Sequence, residues 1–380
     1  MLRPERVPRT GPRHYGAGMA DPDDGWRTLD GDVTGWSATP SLRESVELAR
    51  VVLEQAPDAA LDLRATGVLV RTSAALPVLV DPAGLQRLGV VLEAADPAAA
   101  AGFWGPVLGR ADLVDPFRRE PSFQVVPSGE HRPLRQRAHL DVVRPAGVVE
   151  QLGLGEAGGP YGVRHADPEG NEVDVVPGGP LGEGAEDWQA VFSAMAVYRT
   201  PEPARLAAAV AELVGDLPLG IDLRPGLVVL DSGKDQWEDG VVAPAADVLA
   251  VASRIQAAAR DLGAVADPAA PVFVQLFLDA ADVPAVQAFW AAALGYVADP
   301  RPGLTEIHDP RRVGPVVVFQ PLDPAEGDRR RQRNRTSFVL TVPADAVEER
   351  LATAEVAGGR LLGGGRVADP EGNELVIRAG

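Results

Sequence analysis

Apolar residues recur along this chain with two periods, and the places where the period changes mark out its elements. Leu42, Val46, Ala49 and Leu53 fall at helical spacing behind Thr39-Pro40-Ser41, which predicts a helix ending before Pro57. Residues 61–63 and 68–70 then read as short strands. Leu206, Val210, Leu213 and Val214 predict another helix, followed by strands at 221–223 and 227–230 and a helix through Val248, Ala252, Ile255, Ala259 and Leu262. Residues 1–24 show no period among their Arg, Pro and Gly and are expected to form a disordered tail, with Met19 a candidate alternative start.

One hexapeptide occurs twice, as Asp167-Pro168-Glu169-Gly170-Asn171-Glu172 and, 202 positions on, as Asp369-Pro370-Glu371-Gly372-Asn373-Glu374. Each copy leads into an apolar run, so each reads as a tight turn feeding a strand. Turn chemistry accounts for every residue in it, and the value of the motif is as a register mark for a longer repeat. That repeat is present. The segment 92–96 with Phe103-Trp104 and Leu108-Gly109 recurs as 278–282 with Phe289-Trp290 and Leu294-Gly295. Asp115-Pro116 with Phe123-Gln124 recurs as Asp309-Pro310 with Phe319-Gln320, and Asp62-Leu63-Arg64 as Asp222-Leu223-Arg224. The chain reads as two diverged copies of one two-part unit.

Composition narrows the function classes. A formal charge of −18 and a pI near 4.7 exclude nucleic acid and anionic membrane as expected partners, because the long-range field repels phosphate. Without cysteine there is no disulfide framework, thiolate nucleophile or Cys-based metal site, so a metal would need imidazole, carboxylate or amide ligands. Five histidines are available: His14, His131, His139, His165 and His308. No apolar run has the length of a membrane span and no signal sequence is evident, so a cytoplasmic location is expected. Lys234 is the only lysine, an Arg, Ala, Gly and Pro bias attributable to a high-GC genome.

The helix-strand-strand-helix order, with Gly25-Trp26-Arg27, 57–64 and Arg71-Thr72, resembles the pterin carbinolamine dehydratases, in the degenerate form found ahead of glyoxalase-like domains in actinobacteria. That family's proton-transferring histidines have no match here: the corresponding positions read Gln55-Ala56-Pro57 and Thr72-Ser73, then Asp216-Leu217-Pro218 and Asp231-Ser232. The segments after each such module resemble the vicinal oxygen chelate superfamily, the glyoxalase-like fold of paired βαβββ halves, on the strength of the Phe-Trp and Phe-Gln words, Arg137-Ala138-His139-Leu140-Asp141 and the repeated turns; the resemblance implies a strand at 88–93, a helix at 97–108 carrying Phe103-Trp104, and strands at 122–126, 138–142 and 173–176. The expected class is therefore α+β, a tandem duplication divided into a tail at 1–24, dehydratase-like modules at 25–86 and 186–268, and glyoxalase-like domains at 87–180 and 271–380.

The resemblance implies metal ligands on the first, fourth, fifth and eighth strands. These fall on Gly89, Gln124, His139 and Asp174 in the first domain and on Gln275, Gln320, Ser337 and Val376 in the second. Gln124, His139 and Asp174 could hold a divalent ion such as Mn, Fe, Zn or Ni, and His139 with Asp174 is the candidate catalytic pair, with or without metal. His165 and His308, the latter in a loop at 306–309, read as solvated or structural, and the run 329–335 as a solvated flank whose arginines are alternatively a clamp for an anion. The expected function is binding of a small organic ligand in the cleft of domain 87–180, with metal-assisted lyase, isomerase or dioxygenase chemistry. The alternatives are an inactive structural or ligand-sensing protein and a residual dehydratase. The two glyoxalase-like domains are expected to pair within the chain as a pseudo-dimer, with a homodimer as a further option.

Overall fold

The structure is a computed structural model in which residues 25–115 and 117–380 are described; the expected tail at 1–24 lies outside them. The helices form where the apolar period places them. Ser41 caps the helix Leu42–Gln55 by accepting from the Glu44 amide, and Leu42, Val46, Ala49 and Val52 are its buried stripe. The helices Pro97–Leu108 and Val283–Leu294 share one set of end signals: an aspartate N-cap, a proline in the first turn and a glycine C-cap in the left-handed region, Gly109 at φ 69° and Gly295 at φ 65°.

One arrangement appears four times in the chain. A strand leads into a helix and a later strand returns parallel to the first: Arg87–Ala94 with Ser122–Pro127, Ala138–Pro145 with Glu172–Pro180, Phe273–Ala280 with Val317–Pro321, and Thr336–Val342 with Glu374–Ala379. The helices between them are Pro97–Leu108, Ala146–Leu152, Val283–Leu294 and Val347–Val356. The four units pair through their first strands, and the choice of partner decides where any site can form. Ala138–Pro145 runs antiparallel to Phe273–Ala280, and Arg87–Ala94 runs antiparallel to Thr336–Val342.

The expectation that Gly89, Gln124, His139 and Asp174 line one cleft of 87–180 is therefore corrected. Its two halves lie in different sheets, each completed by a half of 271–380. One sheet has six strands and the other sixteen, the larger continuing into the strands of the two helix-and-strand modules. The faces away from the candidate site bury Leu140, Val142, Val173, Leu276 and Leu278 in one core with Leu88, Val90, Trp104, Phe289 and Trp290.

The exchange of halves is held by the two connecting segments, which bond to each other reciprocally. The Arg137 amide donates to Asn334 Oδ1 (3.0 Å) and the Thr336 amide to Gln136 Oε1 (3.0 Å). Arg335 donates to the Gly170 carbonyl (2.8 Å), while Arg137 donates to the Glu371 carbonyl (3.1 Å). Arg335 and Arg329, which donates to the Arg135 and Gln136 carbonyls, are thus buried ties, and only part of the run 329–335, Arg330 and Arg331 above all, is a solvated flank. Both repeated turns are anchored alike. Asp167 and Asp369 each accept from two backbone amides, the asparagine side chain and a buried indole, Trp104 at 3.0 Å and Trp290 at 2.9 Å.

The two helix-and-strand modules join edge to edge, with Asp62 directly opposite Asp222 on strands Ala60–Arg64 and Gly220–Arg224. Two buried carboxylates at this spacing repel, so guanidinium groups must neutralise them. Arg224 and Arg71 reach Asp62 (2.6 and 2.7 Å), Arg64 reaches Asp222 (2.6 Å), and Arg119 bonds both Asp222 and Asp231. Burial alone would push the Asp62 carboxyl up, but Arg224, Arg71 and Arg64 outweigh it and hold it well below the usual carboxylate range.

Candidate functional site

Register and alternation build the site. His139 lies opposite Phe277, Asp141 opposite Gln275, and Asp141 also neighbours Asp174 on its parallel strand. Residues directly opposite share a face and every second residue returns to it. His139, Asp141, Val143, Asp174, Val176, Phe273, Gln275 and Phe277 therefore share one face, and the intervening aliphatic residues fill the core behind it.

The polar end of this face is dense in groups lacking partners. One ligand atom from each of His139, Asp141 and Asp174 can be chosen so that all three lie within 4.8 Å of one another. His139 is buried and stacked on Phe277, ring centroids 4.7 Å apart, and its Nδ1 has no hydrogen-bond partner. Gln275 Nε2 donates to Asp141 Oδ2 (2.9 Å), which leaves Asp141 Oδ1 and Gln275 Oε1 buried without a donor. Buried polar atoms without partners cost free energy, and several converging on one point mark a place built for another group.

Electrostatics at the cluster follow from the crowding. Burial pushes the Asp141 carboxyl up to about 7, with Asp174 adding to the rise and Gln275 opposing it. Asp174 is also raised, by burial and by Glu172. His139 is held down to about 3 by burial and by the charges of Arg135, Arg329 and Arg164, so its imidazole is neutral at physiological pH. Arg135 is occupied by Glu172 (2.7 Å) and Arg329 by Asp279 (2.6 Å). The other end of the face is apolar: Val143, Val176 and Phe273 pack with Val191, Phe192 and Met195. Phe192 also lines a cavity of about 360 Å³ with Leu181, Trp237 and Val248.

Of the residues singled out from sequence, His139 and Asp174 come together here. Gln124 does not: it lies exposed in the six-stranded sheet opposite Val91, with Gly89 and Ser337 on neighbouring strands and Val376 beyond. Gln275 takes a place beside the pair from the other half of the chain, and Gln320 lies further out, opposite Asp279. Asp141 went unselected, although its position two residues after His139 puts both on one strand face. His308 is not in a loop but buried on the strand Glu306–His308.

Residues 275–377 match the sequence model of the glyoxalase-like domain. The match covers little more than a quarter of the chain. It begins at Gln275, at the candidate site, and runs through units of both sheets, so one contiguous glyoxalase-like segment contributes to two separate faces. No curated protein matches the chain. No helix among the described residues is long and apolar enough to cross a membrane.

Proposed function

We propose that the chain is a pseudo-dimer of two vicinal oxygen chelate domains, produced by tandem duplication, that binds a small organic ligand beside a divalent metal at the composite face of 138–180 and 273–321. The observation that carries this reading is the convergence of His139, Asp141 and Asp174 with unpartnered buried atoms at the same point. The donor set fits a metal: one imidazole and two carboxylates suit Mn, Fe, Zn or Ni, and the charge of an ion would relieve the repulsion that raises both acids. His139, Asp141 and Asp174 would hold the ion, with Gln275 as a further oxygen donor or as the group orienting Asp141. Such an ion supplies Lewis-acid polarisation of vicinal oxygens on a ligand.

The remaining groups have roles of their own. Phe277 fixes the plane of His139, whose lone pair is free of a proton at neutral pH and so open to an ion. Phe273 and Phe192 exclude water from the apolar end. The dehydratase-like modules act as scaffold, because the dehydratase proton-transfer positions carry no histidine. The test is titration of EDTA-treated protein with Mn²⁺, Zn²⁺ and Ni²⁺ by calorimetry. His139→Ala and Asp141→Asn should lose binding, while Gln124→Ala and Ser337→Ala should keep it. Binding that survives His139→Ala but is lost in Ser337→Ala would overturn the assignment.

A further inference from the structure

A second site is carried by a difference between two matching loops. Asp115 and Asp309 each open the same turn: a side-chain oxygen accepts from the amide two residues on, Phe117 or Arg311 (2.9 Å each). The aspartate carbonyl accepts from the amide three residues on, Arg118 (3.0 Å) or Arg312 (2.9 Å). Both arginines adopt the left-handed region, Arg118 at φ 52° and Arg312 at φ 56°. Each loop is tied by an arginine of a helix-and-strand module, Arg224 to the Phe117 carbonyl (2.6 Å) and Arg64 to the Arg312 carbonyl (2.8 Å). A left-handed residue other than glycine costs roughly 1–2 kcal/mol, so its recurrence implies that the direction in which it turns the side chain matters.

The two side chains meet different surroundings. Arg118 pairs with Asp32. Arg312 has no carboxylate partner among the described residues and instead lines a cavity of about 240 Å³ with Arg64, Arg311, Leu219, Pro218 and Asp231. The one acid of that group is taken, since Asp231 is bonded by Arg119 and by Ser193. Arg64 is engaged by Asp222. Arg311 lies over the Trp36 ring at 4.7 Å and also lacks a carboxylate partner among the described residues. Asp309 spends its side-chain oxygens on the Arg311 and Val313 amides. In a chain of formal charge −18, two guanidinium groups without carboxylate partners thus face one partly apolar cavity.

We propose that this cavity binds a small organic anion, a carboxylate or phosphate on an apolar body, whose charged group takes at Arg312 the place that Asp32 takes at Arg118. Arginine suits either group, since its planar fork can donate two parallel hydrogen bonds. The site is distinct from the His139 face and does not depend on metal. The experiment is thermal unfolding of the full chain in EDTA with benzoate, phenyl phosphate, inorganic phosphate and neutral benzamide at millimolar concentration. Benzoate or phenyl phosphate should raise the midpoint saturably, and benzamide should not. Arg312→Gly removes the guanidinium and suits the positive φ, so it should fold at least as stably as the parent yet bind about tenfold or more weakly. His139→Ala should bind normally. An undiminished response in Arg312→Gly, a response to benzamide, an inorganic phosphate effect equal to that of phenyl phosphate, or no response to any anion would each overturn the proposal.

Discussion

Asp141→Asn isolates the electrostatic strain at the His139 face. In metal-free protein Asp141 is buried beside Asp174 with Gln275 as its one donor, and its carboxyl titrates near 7 instead of 3.8. A folded-state pKa raised above the unfolded one means that the folded chain holds the proton more tightly. The resulting penalty is therefore small below the unfolded pKa, grows as pH rises from 3.8 towards 7, and is constant above that. At pH 8 the linkage gives about 4 kcal/mol, a ceiling that burial by a flexible neighbourhood reduces, and at pH 4 under about 1 kcal/mol. Asparagine keeps an oxygen for the Gln275 amide and carries no charge. In EDTA the variant should thus be more stable than the parent by about 2–4 kcal/mol at pH 8 and nearly equal to it at pH 4, measured as the difference in urea midpoints. Saturating divalent metal should close most or all of that gap, because ion binding at about 100 Kd adds about 2.7 kcal/mol to the parent alone. A variant less stable than the parent at pH 8 in EDTA would refute the reasoning, since the carboxylate would then be favourably solvated.

Arg119→Met should destabilise by about 3–5 kcal/mol, seen in chemical denaturation, because Asp231 loses its guanidinium and Asp222 keeps Arg64 alone. Asp369→Ala strands four donors, among them the Trp290 indole, and should cost about 2–4 kcal/mol with a shift in tryptophan emission. Asp62 is held low by Arg224 and Arg71, which outweigh its burial, so its contribution is nearly complete above about pH 4 and falls progressively below that; Asp62→Asn should lower the melting temperature most at pH 7 and by clearly less at pH 2.

The helices were legible because their evidence is local: Ser41 with the stripe Leu42, Val46, Ala49, and the Asp96 and Gly109 ends of the next helix, each lie within a few residues of what they control. His139 and Asp174 were legible through words around them, Arg-Ala-His-Leu-Asp and the repeated turn. Gln124 failed to join them for a different reason. Which first strand pairs with Ala138–Pro145 is decided by contacts more than a hundred residues apart, and Arg87–Ala94 and Phe273–Ala280 offer similar apolar edges. What separates them is the crossing of the connectors through Gln136 and Asn334, polar residues that carry no periodic signal.

The crossed connectors put inheritance and workmanship out of phase. Each stretch of sequence supplies walls to both faces, and a fragment ending at residue 180 would carry the histidine and both acids but neither Gln275 nor Phe277. Under the proposed duplication, divergence proceeds face by face, through positions scattered over both halves of the gene. That is how one face can keep an imidazole and two carboxylates while its counterpart presents Gly89, Ser337 and Val376, without either half of the chain having been the one set aside.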